Sequence, residues 1–287
     1  MGGAAPAADS SNNLYVITGN GNFDATSPTT PNDDYGDTFL KLSGNLNVLG
    51  YFTPSDQDSD DFNNNDFGAG GAALLGDLPA GSPLTHLAIA GGKDGNLYVI
   101  NRDAPGGLGD SHAWQQISVG TESDTSTTDP GVIFCAPAMW NDTLYLAGVK
   151  GPLMAFQLDL STARFSQSAT TTSPSGGFGF PGSTPSVSAM GTTNGVVWAL
   201  DNGQYCTNAS PGCGPAVLHA YDAANVAHEL WNSSMQSADA AGYAVKFVVP
   251  TIANGKVYVA TRGNNIGGSY GSTTVAGELD VYGLKAN

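Results

Sequence analysis

The chain has 287 residues, of which only 12% are charged and 39 are glycine, a mixture that suits short strands joined by tight turns and excludes an architecture of long helices. Its formal net charge of −16 repels phosphate backbones and anionic headgroups, so neither nucleic acid nor a membrane surface is an expected partner, whereas cations are, calcium first. No stretch reaches the roughly 18 apolar residues that span a bilayer, and the opening MGGAAPAADSS lacks the basic start and apolar run of a signal peptide.

Taken in chain order, the predicted elements repeat one unit. The first runs GAAPAAD (3–9), LYVITG (14–19), TFLKLS (38–43) and LNVLGYFTP (46–54), with an acidic insertion PNDDYGD at 31–37. The second follows an acidic stretch at 56–66 and runs GGAALLGD (70–77), LAIAGGK (87–93), LYVINRD (97–103) and HAWQQISVG (112–120). The third runs CAPAMWND (135–142), LYLAGVK (144–150), LMAFQLD (153–159) and ARFSQSAT (163–170). The fourth runs TPSVSAMG (184–191), VVWALDN (196–202), VLHAYDA (217–223) and HELWNSS (228–234). The fifth has only VPTIANG (249–255), VYVATRG (257–263) and LDVYGL (279–284). Tyr15, Ala88, Tyr145, Val197 and Tyr258 mark one equivalent place, roughly 50–75 residues apart, a blade-sized spacing.

Three inner strands and an outer one per unit read as an all-β fold, a β-propeller of about five blades of four-stranded antiparallel sheets, forming one domain over 1–287 and part of a larger propeller. The fifth unit lacks an outer strand, and exposed edges template pairing. The ring is therefore expected either to close as five blades or to form a homo-oligomer through its exposed blade edges. Cys206 and Cys213 bracket a short turn loop that suits a disulfide, Cys135 reads as a buried inert thiol, and the pair with the sparse charge points to a periplasmic or extracellular setting for the full-length protein.

Five motifs in order, NNLYVITGNGNFD, GDTFLKL, GYFTP, NNNDFGAGGAALL and GGKDGNLYVINRD, resemble consecutive stretches in the C-terminal part of quinoprotein alcohol dehydrogenases, and the later units resemble pyrroloquinoline-quinone (PQQ) type repeats. The resemblance implies roles for three residues. Asn20 matches an asparagine that helps to hold calcium, Asp66 matches the catalytic aspartate, and Lys93 matches the basic residue beside the quinone. Asn65 stands where the family has a Trp before the aspartate. The paired cysteines, the stacking Trp and the acidic calcium ligand of the family are not visible, so tight PQQ binding is not expected. Read without the resemblance, Asn20 also suits a turn cap, Asp66 a turn acceptor and Lys93 a solvated hairpin lysine.

The stretch DQDSDDFNNND offers alternating oxygens at Asp56, Asp58 and Asp60 like the start of a calcium loop, although Asp61 and Phe67 stand where an EF-hand has Gly and Glu. No nucleophile elbow, P-loop or pair of histidines with zinc-ligand spacing is present, and HELWN has Asn232 where a zinc protease has its second His. The aromatics Phe178, Phe180, Trp198 and Tyr205 suit packing between blades or a pocket mouth. The leading expectation is a hydrolase that opens a small-molecule lactone or ester. Calcium held by Asn20 and the carboxylates polarises the carbonyl, Asp66 acts as general base, and Lys93 stabilises the oxyanion. A non-catalytic binding propeller and the remnant of a PQQ-dependent dehydrogenase are the alternatives.

Overall fold

The computed structural model describes residues 5–28, 30, 32–120, 131–174, 176–205, 213–263 and 277–283. These residues form five mainly antiparallel sheets that follow one another along the chain as the blades of a partial β-propeller. Blade 1 contains β1 (Ala7–Ala8), β2 (Leu14–Ile17), β3 (Phe39–Leu42) and β4 (Val48–Thr53). A short helix, α1 (Gln57–Asn63), leads to blade 2 with β5 (Ala73–Leu74), β6 (Leu87–Gly91) and β7 (Asn96–Asn101). The next strand, β8 (Gly107–Leu108), crosses back to pair parallel with β4, before β9 (Gln115–Ser118) completes blade 2.

Blade 3 is β10 (Ala138–Trp140), β11 (Thr143–Leu146), β12 (Met154–Asp159) and β13 (Arg164–Phe165), with β14 (Thr171–Thr172) also pairing β12. Blade 4 is β15 (Ser186–Met190), β16 (Thr193–Asp201), β17 (Val217–Asp222) and β18 (Glu229–Asn232). Blade 5 has three strands among the described residues, β19 (Thr251–Ala253), β20 (Lys256–Thr261) and β21 (Glu278–Tyr282). The inner hairpins close as the turn chemistry dictates. Asn141–Asp142 between β10 and β11, and Asn254–Gly255 between β19 and β20, both hold two consecutive left-handed residues, the arrangement that matches strand twist.

Strands of the middle blades are apolar on both sides because each blade is covered on both faces. In β7, Leu97 and Val99 pack against blade 3 while Tyr98 and Ile100 pack against blade 1. Similar clusters join blade 3 to blade 4 through Tyr145, Ala155, Val197 and Tyr221, and blade 4 to blade 5 through Leu200, Leu218, Val257 and Val259. Among the described residues no buried cluster joins blade 5 to blade 1, so closure into a five-bladed ring is not made by these contacts.

The two ends of the series differ. The outward face of blade 1, with Val16, Leu40 and Tyr51, is covered by Phe23, Ala25 and Tyr35 from the β2–β3 insertion. On blade 5 the corresponding face carries Leu279 and Val281, 60% and 48% exposed, opposite Ala260 and Tyr258.

Candidate axial site

Three chain segments meet where blades 1 and 2 approach the axis. The helix α1 ends at Asn64, a left-handed residue whose N–H bonds back into the last turn, and Asn65 N–H also returns to the Asp60 carbonyl. This turn delivers Asp66 to the start of a 3-10 turn, Phe67–Ala69. The Asp66 carbonyl accepts the backbone N–H of Lys93, which anchors the two segments together. Gly92 permits that approach, since a Cβ there would meet Phe67 Cα at 2.5 Å, and Gly68 similarly lies against Thr18 and Gly19.

The result is a polar network. The Lys93 ammonium forms an ion pair with Asp66 Oδ2 and donates to the Asn64 carbonyl at 2.7 Å. Asp66 Oδ1 accepts the Asn20 backbone N–H at 3.2 Å, and Asn20 Nδ2 donates to Asn64 Oδ1 at 3.1 Å. Asn20, Asp66 and Lys93, far apart in sequence, are thus brought together. The Lys93 side chain is only 8% exposed, so it is not a solvated hairpin lysine, whereas Asn20 stays exposed.

Asp56, Asp58 and Asp60 do not form a calcium loop. Their segment enters and forms α1, where residues two apart point to different sides. Asp58 is exposed, while Asp60 is buried and faces Asp56 one turn away. Burial, then the neighbouring carboxylates of Asp56, Asp94 and Asp37, push Asp60 up to about 8. Asp37 and Asp94 are raised to about 6, again chiefly by burial. The Asp37 carboxylate accepts the Phe67 N–H, and Asp94 accepts the backbone and side-chain N–H of Asn96.

The residues do not fit calcium. The one carboxylate beside Asn20 is already neutralised by Lys93, whose ammonium would also repel a second cation, and the Asn20 amide is turned to Asn64 as a donor. Among the described residues no three His, Cys, Asp or Glu side chains are grouped to hold a metal ion. Glu229 of the HELWN segment instead accepts from Asn232 and contacts the His219 ring nitrogen at 2.7 Å, within a sheet.

Next to Lys93, the axis is lined by phenylalanines. The Lys93 ammonium lies 6.0 Å from the Phe134 ring, which meets Phe180 and Phe247 edge to face at 5.2 and 5.9 Å. The Lys246 ammonium sits over Phe180, Tyr205 and Phe247 at 5.5–5.9 Å. It is half-buried and makes no ion pair among the described residues. Phe247 holds a left-handed backbone (φ 68°), costly for a bulky residue and maintained only where its surroundings fix it. Phe178, in contrast, packs between blades 3 and 4, and Trp198 flanks the blade 4–5 interface.

Phe134, Phe247 and Lys246 carry no motif. A detectable signal is their repeat position, for Phe134, Phe180 and Phe247 each lie shortly ahead of the innermost strand of blades 3, 4 and 5. Cys213 is disulfide-bonded and Cys135 is a free, buried thiol; Cys206, the expected partner of Cys213, lies outside the described residues.

No family model matches the sequence, and no curated protein matches it. Among solved structures the chain is similar to BamB from Moraxella catarrhalis, at 10% identity and a TM-score of 0.40, over 77% of this chain and 48% of that one. The chain thus spans about half the length of that structure.

Proposed function

We propose that the chain is a binding propeller whose axial mouth takes a small organic anion with a planar apolar body. The observation that carries this reading is the group Phe134, Phe180, Tyr205 and Phe247, flanked on one side by Lys93 and on the other by Lys246. Lys93 is committed to Asp66, but among the described residues Lys246 has only ring faces as partners, so an incoming carboxylate gains a charge-assisted bond there while its body stacks on the rings. The resemblance to quinoprotein alcohol dehydrogenases makes PQQ, a planar polycarboxylate, one probe, and naphthalene dicarboxylate is the second.

Titration calorimetry tests the reading. Binding of either probe is expected to weaken about tenfold in Lys246→Ala, the loss of one charge-assisted contact. Equal binding by the variant, or none by the native protein at millimolar probe, sinks it. The disulfide at Cys213 supports placing the protein in an oxidising compartment, periplasmic or extracellular.

The contact between Asp66 and Lys93 favours one second reading, hydrolysis of a lactone or ester. Asp66 takes a proton from water, the oxygen adds to the carbonyl, and Lys93 holds the oxyanion until the ring oxygen leaves with the proton. Ring-opening lost in Asp66→Ala supports it. The same assay with calcium and then excess EDTA tests for a metal contribution, and silence in every arm returns the site to binding alone.

A further inference from the structure

The helix α1 is held against the blades by very little. Its seven residues bury only Gln57 and Asp60, and Phe62 is 88% exposed, so no apolar side chain anchors it. It carries Asp58, Asp60 and Asp61 and no basic residue. The surface it rests on is acidic as well. Asp37, just ahead of β3, is fully buried; its Oδ1 accepts the Phe67 N–H, while its Oδ2 has no hydrogen bond among the described residues. Gln57, beside it, donates instead to the Gly21 carbonyl at 2.9 Å. Asp94, in the β6–β7 turn, is 5% exposed and accepts from Asn96 and the Tyr98 hydroxyl. The Asp60 carboxyl lies in the field of Asp56, Asp94 and Asp37, and Tyr98 in turn feels Asp94, Asp110, Asp56 and Asp60. Burial and mutual repulsion both penalise the anions gathered here, and bound protons relieve both.

The end of α1 reaches the axial mouth. The Asn64 carbonyl accepts the Lys93 ammonium at 2.7 Å, and the Asn64 side chain accepts from Asn20 at 3.1 Å. We propose that α1 is a proton-held latch over the axial site: it lies closed while the carboxyl groups beneath it are protonated, and lifts when they ionise, withdrawing Asn64 from Lys93 and Asn20. Burial raises Asp60 to about 8 and Asp37 and Asp94 to about 6, so each binds its proton more tightly with the helix closed. Closure is therefore favoured at low pH and lost as the pH rises through those values, the last proton leaving Asp60 between pH 7 and 9. That the freed Lys93 ammonium then meets an anion rests on the axial-binding reading, whereas the motion of α1 does not.

Amide hydrogen exchange of the intact protein in EDTA, followed by mass spectrometry and corrected for the intrinsic pH dependence of exchange, reads the latch. Protection of the segment 55–67 is expected to fall about tenfold between pH 7 and 9, the effect of one proton lost, while that of β6 and β7 holds. Over the same range acetylation of Lys93, 8% exposed, should rise about tenfold relative to that of the exposed Lys150. Asp60→Asn should hold both quantities at pH 9 near their pH 7 level. Asp37→Asn, which leaves the helix sequence intact, should move the opening to higher pH and serves if the first variant does not fold. Unchanged protection of 55–67 overturns the proposal, as does a loss shared by β6 and β7 or a loss that Asp60→Asn does not prevent. Loss confined to 55–67 with no probe bound at the mouth at any pH sustains the latch and sinks only the anion site.

Discussion

The Lys93 ammonium rests on the Asp66 carboxylate where only 8% of the lysine side chain and 23% of the aspartate remain exposed. A pair this enclosed gains little over an apolar replacement, but removal of one member strands the other charge. Lys93→Met is therefore expected to cost about 3 kcal/mol in urea denaturation, and Asp66→Asn somewhat less. The double variant should recover part of the loss, and strictly additive losses would show that the pair is not coupled.

Stability should rise as the pH is lowered from 8 toward 4. Asp37, Asp60 and Asp94 bind their protons more tightly folded than unfolded, at about 6, 8 and 6 against a usual 3.8, mainly because burial disfavours the anion. Across that window the folded state carries more protons, so the free energy of unfolding falls as pH increases. Asp9 acts oppositely and only below pH 4. Although burial raises it, bonds from Asn13, Tyr15 and Ser11 draw it down to about 2. Thermal scans should show Asp60→Asn more stable than the native chain at pH 8 by about 2 kcal/mol, with a flatter slope between pH 5 and 8. A native melting temperature that climbs from pH 5 to pH 8 contradicts this.

Gly92→Ala should destabilise by about 3 kcal/mol or more, because its Cβ meets the backbone of Asp66 and Phe67 at 2.5–2.9 Å rather than a movable side-chain tip. It should also loosen Lys93 from Asp66, so that adding Lys93→Met to Gly92→Ala costs less than in the native background. Gly76→Ala, where nothing lies within 4 Å, is the control and should be neutral to about 1 kcal/mol stabilising.

Thiol titration should find no reactive cysteine in the native state. Cys135 is 2% exposed and burial pushes its thiol up to about 12, which removes the thiolate at pH 8. In guanidinium without reductant one thiol per chain is expected, since Cys213 is disulfide-bonded. A count of three would mean that no disulfide is formed.

The strands were legible because turn residues and apolar runs recur with the blade, but the face each residue takes was not. Tyr15 and Ala88 were aligned as equivalents, as were Tyr145 and Val197, yet the members of each pair lie in one cluster, against each other across an interface. Repeats offset by one residue keep the apolar pattern and reverse the side, and when both sides are buried the sequence carries no mark of which is which. The convergence of Asn20, Asp66 and Lys93 was expected only from the resemblance of their motifs to those of quinoprotein dehydrogenases. The ion pair between Asp66 and Lys93 was not, because it depends on the close approach at Gly92. Asp56, Asp58 and Asp60 misled for a local reason. Alternating carboxylates look like ligands until the asparagines at 63 and 64 are read as the end of a short helix. The axial phenylalanines sit in loops, where no periodicity announces them.

The aromatic plug over blade 1, set against the bare Leu279 and Val281 on blade 5, gives the molecule a polarity along its own circumference. A side chain brought against Leu279 and Val281 meets open apolar surface, whereas one brought against Val16, Leu40 and Tyr51 would first have to displace Phe23 and Tyr35.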